Sequence, residues 1–214
     1  MLTHKGSKTI ETERLLLRRA CAEDAEPMFR NWASDPEVTK YLTWPAHGSI
    51  AVSEMVIDSW LPEYTKDSYY QWMIVLKELG EPIGSISVVR QNDRVKEAEI
   101  GYCIGSHWWH RGIVAEALTA VIKYLFEEVG MNRVAARHDP NNPNSGRVMR
   151  KCGMKYEGTH RACDRNNQGI CDAAQYAILR SEWKRPRHFA EGIVYADDAE
   201  QSAIIRKMQE RNGT

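Results

Sequence analysis

The residues best suited to chemistry lie at the joint between a short apolar strand and a long helix. Apolar residues alternate over 100–104 with the period of two that is typical of a strand. Beyond the turn 106–112 they recur at helical spacing, at Val114, Ala117, Leu118, Val121, Ile122, Leu125, Phe126 and Val129. Such a joint aims the free N–H groups of the first helical turn, and the positive end of the helix dipole, above the strand, where they can bind a phosphate. Gly112 has no Cβ and would let the anion approach the backbone, and Gly130 is a typical helix C-cap.

The sequence alone also allows an ordinary packed strand-turn-helix unit at this place. The joint lacks the Gly-Lys-Ser or Gly-Lys-Thr ending of a Walker loop and the three glycines of the dinucleotide fingerprint. Cys163, Cys171 and His160 have the side chains of metal ligands, but their spacing matches no common zinc pattern. The residues therefore leave an anion site and a structural joint open, and they predict no metal site.

The length and composition are those of a single-domain protein without a large net charge. Its 214 residues can form one well-buried domain, and Lys plus Arg and Asp plus Glu each number 29. The zero net charge predicts that neither nucleic acid nor a membrane surface is a partner. Five cysteines without a Cys-x-x-Cys pair, no apolar run near ~20 residues and no signal-peptide core predict a cytoplasmic protein with free thiols.

Runs of strands interrupted by helices at two places predict an α+β fold. The strands are expected at 12–19, 70–76, 82–89, 97–104, 133–138, 156–161 and 173–179. The helices are expected at 23–32, 36–42, 52–60, 114–129 and 145–152, and a polar turn at 164–169. The sheet would be mixed and mostly antiparallel, with a locally parallel central βαβ unit and flanking helices. From 185 to 214 the pattern loosens, so this segment is expected to pack on the core, to serve association or to be a partly ordered tail.

Several motifs follow one another along the chain in a recognisable order. They are TERLLLR at 12–18, DPEVTKYLTW at 35–44, EIGYCI at 99–104, WWHRGIVAEAL at 108–118 and NPNSGRVMRKCGM at 142–154. In this order they resemble the GNAT superfamily of acyl-coenzyme A dependent N-acetyltransferases, most of all the branch that includes the ribosomal-protein N-terminal alanine and serine acetyltransferases. The resemblance covers 12–183, so an acetyltransferase domain is expected at 1–184 and a C-terminal extension of unknown role at 185–214. It also implies a GNAT-like sheet in which the central βαβ unit is splayed.

The resemblance implies that the chain uses acetyl-CoA as co-substrate and no metal. Backbone N–H groups of 111–115 would hold the pyrophosphate, the strand edge at 102–104 would pair with the pantetheine arm, and Asn142 would reach that arm from the other side. The implied cofactor-binding residues are Tyr102, Cys103, Ile104, His110, Arg111, Gly112, Ile113, Val114, Ala115, Asn142 and Arg147. For the side chains of His110 and Arg147, exposure to solvent is the alternative.

The same resemblance assigns the catalytic roles. Glu99 occupies the place of a glutamate implicated as the base that takes a proton from the attacking amine, and a solvent-facing strand carboxylate is the alternative. Many members protonate the departing thiolate with a tyrosine, where this chain has Met149, which has no proton to donate. Ser145 has the position considered for that role in the ribosomal branch, and a simple helix cap is the alternative.

The acceptor is expected to lie under the loop that carries Tyr41, Trp44 and His47, although these residues could instead pack helices together. We expect an N-acetyltransferase that moves the acetyl group to a primary amine by direct attack in a ternary complex. The expected acceptor is a protein or peptide N-terminal α-amine, and a small amine, amino-acid conjugate or antibiotic-like molecule is the alternative. Met149 also motivates a hypothesis of another class, a non-catalytic acyl-CoA-binding module. The chain is expected to act as a monomer or a homodimer.

Overall fold

A computed structural model describes residues 1–183, 192–196 and 203–204 of the chain. Its strands are β1 (Thr9–Glu11), β2 (Leu15–Arg18), β3 (Gln71–Leu76), β4 (Glu81–Asn92), β5 (Glu97–Ile104), β6 (Arg133–His138), β7 (Lys155–Asn166), β8 (Gly169–Leu179) and β9 (Val194–Ala196). Its α-helices are α1 (Ala25–Met28), α2 (Pro36–Thr39), α3 (Ile50–Trp60), α4 (Ile113–Tyr124) and α5 (Pro143–Lys151). α1 and α4 continue into π-helical turns at Phe29–Ala33 and Leu125–Val129. None of the helices in the described ranges is long and apolar enough to cross a membrane.

The described strands form one sheet in the order β7-β8-β6-β5-β4-β3-β2-β1-β9. The central pair β5–β6 is parallel, and the other pairs of described strands are antiparallel. α4 lies in the crossover that joins the parallel pair, as such a connection requires. The prediction of a mixed, mostly antiparallel α+β fold is therefore confirmed.

The sheet separates two hydrophobic clusters, because successive side chains of a strand point to opposite faces. In β2, Leu15 and Leu17 belong to the cluster that contains α4, whereas Leu16 belongs to the cluster that contains Trp32 and Ile57. All three leucines are fully buried. The continuous apolar run of this strand is thus explained by burial on both of its faces.

Helix α4 is buried along its whole length, although the sequence predicted an amphipathic helix. Its polar side chains Glu116, Thr119 and Lys123 each have a polar partner inside the protein. Because these groups are satisfied, the protein can cover the polar side of the helix as well as its apolar side. The helical run ends at Gly130 with φ +87°, which confirms the predicted C-cap.

The two central strands separate soon after they begin. Their parallel register ends at the pair Glu99–Ala135. β6 still pairs with β8 as far as His138, and β5 still pairs with β4 as far as Ile104. A cleft therefore opens between β5 and β6 beyond Glu99, and the backbone of 100–104 forms one side of it. This is the splayed central unit that the resemblance implied.

The sequence prediction was wrong at the β7–β8 hairpin. The turn expected at 164–169 lies mostly inside strands, because β7 continues to Asn166 and β8 begins at Gly169. The strand register shifts before Asp164, and Ala162 in the resulting bulge has φ +46°. Most positions of β7 are exposed, so polar residues that are typical of a turn are equally compatible with this strand.

The C-terminal extension contributes a strand to the same sheet. β9 pairs antiparallel with β1. The ring of Tyr195 lies with its centroid 5.3 Å from that of Tyr124, and Lys123 Nζ lies 4.8 Å from the centre of the Tyr195 ring. Ile204 packs on the cluster that contains Trp32. The remaining residues of 185–214 lie outside the described ranges.

Replacing Tyr195 by alanine is expected to lower the free energy of unfolding by about 1–3 kcal/mol, because the ring and its aromatic contact with Tyr124 are lost. Val194→Ala is the matched control, since the side chain of Val194 lies on the same strand and is 53% exposed. Urea unfolding measures both variants. Equal stability of the two variants would mean that β9 does not stabilise the sheet.

Candidate active site

Two cavities meet at the cleft between β5 and β6. The larger has a volume of about 510 Å³ and follows the N-terminus of α4, and the smaller, of about 290 Å³, lies beside 41–44. Their walls share Tyr41, Leu42, Tyr102, Cys103, Asn142 and Ser145. We call this shared wall the junction, because a group bound in one cavity could pass to a molecule in the other there. The described part of the chain has no cluster of three or more His, Cys, Asp or Glu side chains arranged to hold a metal ion.

The N-terminus of α4 forms one wall of the larger cavity. Gly112 precedes the helix with φ +74°, and its carbonyl oxygen accepts the first helical hydrogen bond from the Glu116 N–H at 3.1 Å. Helix geometry leaves the N–H groups of Ile113, Val114 and Ala115 without an intrahelical acceptor, and all three residues line the cavity. Together with the helix dipole, these donors suit an anion.

Positive side chains flank the same wall. A Cβ built on Gly112 would lie 3.5 Å from Lys151 Nζ and 3.8 Å from Arg14 Nη2. Arg147 also lines the larger cavity. The space beside Gly112 is therefore open to a ligand and close to cations, which form strong charge-assisted hydrogen bonds with phosphate. The residues present fit the phosphate groups of the acetyl-CoA that the resemblance implies.

The backbone at the end of β5 forms the opposite wall. The Ile104 carbonyl oxygen accepts a hydrogen bond from Trp109 Nε1 at 3.0 Å, which ties the strand end to the turn before α4. Gly84 allows β4 to approach here, because a Cβ at this position would lie 2.3 Å from the Cys103 carbonyl oxygen. The close packing holds the strand edge of the cleft in place.

Glu99 lies in the wall of the smaller cavity and is only 6% exposed. Its Oε1 is 3.0 Å from Arg137 Nε, and its Oε2 is 3.9 Å from Arg90 Nη1. Arg137 Nε also lies 3.2 Å from Asp164 Oδ2. The nearby guanidinium groups compensate for burial of the carboxylate. Glu99 is thus a buried cavity residue, and the alternative of a solvent-facing strand carboxylate is wrong.

Tyr102 and Ser145 contact each other at the junction. The Tyr102 hydroxyl lies 2.9 Å from Ser145 Oγ and 3.1 Å from the Ser145 carbonyl oxygen. Burial raises the pKa of Tyr102 well above its usual 10.0, while the hydrogen bond with Ser145 lowers it in part, so the phenol keeps its proton at neutral pH. Ser145 is not the cap of α5, because Asn142 has that position. Met149 is 1% exposed in the hydrophobic core.

The turn that contains Asn167 and the segment 39–44 cover the smaller cavity, and we call these two segments the roof. Asn167, in the turn between β7 and β8, donates its backbone N–H to the Leu42 carbonyl oxygen at 3.1 Å. Its Nδ2 donates to the carbonyl oxygens of Thr39, at 2.8 Å, and Trp44, at 2.7 Å. These hydrogen bonds tie the hairpin turn to the segment that follows α2. The smaller cavity is therefore partly enclosed.

Most of the site residues expected from sequence line the cavities. Tyr41, Tyr102, Cys103, Asn142 and Ser145 lie at the junction, Glu99 and Trp44 line the smaller cavity, and Ile104, His110, Gly112, Ile113, Val114, Ala115 and Arg147 line the larger one. Arg111 is exposed, and its carbonyl oxygen accepts a hydrogen bond from Arg14 Nη1 at 3.0 Å. His47 is 8% exposed, with Nδ1 2.8 Å from Ser53 Oγ and its ring packed against Trp44. The structure thus places His47 in a packing contact and not in the cavity wall.

His47 gives the fold a pH dependence. Burial lowers the pKa of His47 below its usual 6.5, because surrounding protein disfavours the imidazolium. The unfolded chain therefore takes up this proton at a higher pH than the folded chain, and the stabilisation that is present above about pH 6.5 is lost as the pH falls. Between about pH 7.5 and about pH 5.5 we expect the free energy of unfolding to fall less in His47→Gln than in wild type. Urea titrations at both pH values measure this, and an equal fall in the variant would contradict it.

Sequence reasoning missed Arg137, which pairs with Glu99, and Asp164, which also pairs with Arg137. Arg137 lies two residues beyond Ala135, which pairs with Glu99, so its side chain is on the same face of the sheet. Side chains alternate between the two faces of a strand. A predicted parallel pairing of β5 with β6 could therefore have placed Arg137 beside Glu99. Asp164 falls in the segment that the sequence predicts as a turn, although it belongs to β7. Arg14 was also missed, because its contacts lie far away in sequence.

The family described as acetyltransferase (GNAT) domain matches residues 14–155 of this chain. The matched region contains α4, α5 and the splayed strands β5 and β6, and hence most of the walls of the two cavities. The family match therefore includes the N-terminus of α4 and the junction.

Two N-acetyltransferase sequences and one solved acetyltransferase structure illustrate what the chain is similar to. An uncharacterised N-acetyltransferase of Bacillus licheniformis, p20, is 29% identical over 176 residues, which cover 82% of this chain and 98% of that protein. The ribosomal protein uS5-alanine N-acetyltransferase of Escherichia coli (strain K12) is 37% identical over 85 residues, or 40% of this chain and 37% of that protein. A solved structure of a GNAT-family acetyltransferase from Bacillus anthracis has a TM-score of 0.71 at 26% identity and covers 81% of this chain and 99% of that one.

Proposed function

Because this chain belongs to the GNAT family of acetyltransferases, we propose that it transfers the acetyl group of acetyl-CoA, bound in the larger cavity, to a primary amine bound in the smaller one. The observation that carries this proposal is the junction, where Tyr102 and Ser145 belong to the walls of both cavities. A donor and an acceptor that each fill one cavity would meet at these two side chains. Direct transfer in a ternary complex needs that arrangement.

The larger cavity suits the phosphates and the extended arm of acetyl-CoA. The free N–H groups of 113–115 and the side chains of Arg147 and Lys151 suit its phosphates. The strand edge at 100–104 offers backbone groups to an extended polar arm, in the manner of an added strand. Bound there, acetyl-CoA supplies the acetyl thioester and a thiolate leaving group.

The transfer forms one N–C bond and breaks one C–S bond. The neutral amine loses one proton and the departing sulfur gains one, so the reaction balances without a further reactant. An acceptor that binds as an ammonium group first releases one more proton to solvent. Glu99, buried in the wall of the smaller cavity, takes the proton of the amine directly or through water. Ser145 Oγ gives a proton to the sulfur, and the Tyr102 hydroxyl, 2.9 Å from that oxygen, replaces it. Exchange with solvent then removes the proton from Glu99 and returns one to Tyr102.

The proposed acceptor is the α-amine of a protein or peptide N-terminus. The wall of the smaller cavity carries three carboxylates, Glu99, Asp139 and Asp164, against the guanidinium groups of Arg137 and Arg165. The excess of negative charge suits an ammonium group before it loses its proton. The similarity to the Escherichia coli enzyme, whose name gives a ribosomal-protein alanine as its acceptor, supports a protein N-terminus.

A small amine or amino-acid conjugate is the second candidate, and the roof favours it. The smaller cavity, at about 290 Å³, lies near the lower end of the ~300–1,000 Å³ of typical ligand pockets. The hydrogen bonds of Asn167 to the segment after α2 restrict the way out for the rest of a long acceptor. A small acceptor would be held entirely beneath this roof.

A thiol-release assay with acetyl-CoA tests the proposal. One panel holds peptides with varied N-terminal residues, each beside the same peptide with its α-amine already acetylated, and a second panel holds small amines. We expect release with peptides that have a free α-amine and none with their blocked counterparts, with the acetylated product identified by mass spectrometry. Turnover of the small amines alone would favour the second candidate. Binding of CoA without release above hydrolysis on either panel would overturn both.

A further inference from the structure

Glu116 is a buried charge for which the transfer chemistry has no use. It lies in the first turn of α4 and is 2% exposed. Its Oε1 accepts hydrogen bonds from Thr12 Oγ1 at 2.6 Å and from the Arg14 backbone N–H at 3.0 Å, and its Oε2 accepts from Arg14 Nε at 2.7 Å. Arg14 Nη2 is also 2.7 Å from Oε2. Burial of a carboxylate is costly unless such donors satisfy it, so this site fixes the position of the Arg14 guanidinium.

The other edge of that guanidinium holds the turn before α4. Arg14 Nη1 donates a hydrogen bond to the carbonyl oxygen of Arg111 at 3.0 Å. In a trans peptide the C=O and the following N–H point in opposite directions. By holding the Arg111 carbonyl, Arg14 therefore also sets the direction of the Gly112 N–H. The turn in question contains His110 with φ +62° and Gly112 with φ +74°, both in the left-handed region.

The guanidinium also adds charge where an anion would bind. Arg14 Nη2 and Lys151 Nζ are the nearest atoms to the Cβ position that Gly112 leaves empty. Arg14 lies between β1 and β2, 102 residues before Glu116, and its side chain is 39% exposed beside Gly112. Two positive groups from separate elements thus converge on the N-terminus of α4, whose dipole has the same sign.

We propose that Arg14, fixed by the buried Glu116, is a positioning residue for the pyrophosphate of CoA: it orients the backbone of 111–112 toward the phosphates and adds positive charge beside Gly112. This deepens the proposed function and rests on it, because it takes CoA as the ligand of the larger cavity. The competing explanation is that the ion pair only joins the segment before β2 to α4. The two explanations differ in whether loss of Arg14 affects a donor that lacks the pyrophosphate.

The test compares Arg14→Met with Arg30→Met. Arg30 is a matched control, because it is 49% exposed and also pairs with carboxylates, those of Glu26 and Glu81. Calorimetric titration gives the Kd of CoA, and kinetics give kcat/KM for acetyl-CoA and for S-acetylpantetheine, which has no pyrophosphate. For Arg14→Met we expect CoA to bind about 10-fold or more weakly, with KM for acetyl-CoA raised and kcat/KM for S-acetylpantetheine within about twofold of wild type. Arg30→Met should match wild type in every measurement.

Arg14→Lys serves as a second variant in case Arg14→Met folds poorly, as its Tm would show. Lysine keeps the charge but lacks the planar fork that binds Glu116 and the Arg111 carbonyl together, so CoA binding should still weaken. An unchanged Kd in both variants, or an equal loss of kcat/KM with the two donors, would overturn the inference and leave a structural ion pair. Failure of the wild-type protein to bind CoA would instead overturn the proposed function.

Discussion

The variant Glu99→Gln is expected to lower kcat by about 10²-fold or more, because glutamine cannot accept a proton from the attacking amine. Its amide has the size of the carboxylate, so KM for acetyl-CoA should stay close to that of wild type. Steady-state kinetics with the acceptor identified by the panel assay measure both quantities.

Glu97→Gln is the matched control for this prediction. Glu97 lies two residues earlier on β5, and its carboxylate pairs with Arg133 Nε at 2.8 Å. The same isosteric change at Glu97 should leave kcat within about twofold of wild type, since the residue lines neither cavity. If Glu99→Gln also stayed within about twofold, Glu99 would only pair with Arg137, and water would be the base.

Removing either hydroxyl of the Tyr102–Ser145 pair is expected to lower kcat by about 10-fold or more. If Tyr102 resupplies the proton that Ser145 gives to the sulfur, the two residues act as one unit, and Tyr102→Phe, Ser145→Ala and the double variant should be slowed to similar extents. The raised pKa of Tyr102 keeps its proton available, so wild-type activity should show no alkaline loss from Tyr102 up to at least its usual pKa of 10.0. A double-mutant cycle in kcat measures the coupling.

The control for this pair is Tyr156→Phe. The Tyr156 hydroxyl lies 2.8 Å from Thr159 Oγ1, so it makes the same kind of contact, but its side chain is 55% exposed on the edge strand β7. Its kcat should equal that of wild type. If the fold-loss of kcat in the double variant equals the product of the losses in the two single variants, Tyr102 and Ser145 act independently. If the variants raise KM and leave kcat unchanged, both hydroxyl groups contribute to binding only.

Local patterns determined much of the scaffold. β6 occupies the predicted residues 133–138, and α2 begins at Pro36 behind the Asp35 cap, whose carboxylate accepts from the Glu37 N–H at 2.9 Å. Both features follow from apolar periodicity or from capping, which depend on neighbours in sequence. The same holds for the helix N-terminus after Gly112. The N-terminus of α4, where we propose that the phosphates bind, therefore arises from residues that are neighbours in sequence.

Contacts between distant segments are not encoded in the same way. The roof over the smaller cavity joins Asn167 to Thr39, and the ion pair beside the turn before α4 joins Arg14 to Glu116. No periodicity links residues that are more than 100 positions apart. The strand register that brings Arg137 to Glu99 is likewise a tertiary property.

The sequence by itself determined the α+β sheet and, through its motifs, the family with its splayed central unit, and it predicted the residues of the proposed acyl-CoA site. Only the tertiary structure decided that Glu99 is buried beside Arg137, that Ser145 contacts Tyr102, and that His47 packs against Trp44 instead of lining the cavity. The reason is physical. Helices, strands and caps arise from neighbours along the chain, whereas the burial and pairing of a side chain depend on which distant segments the fold brings together.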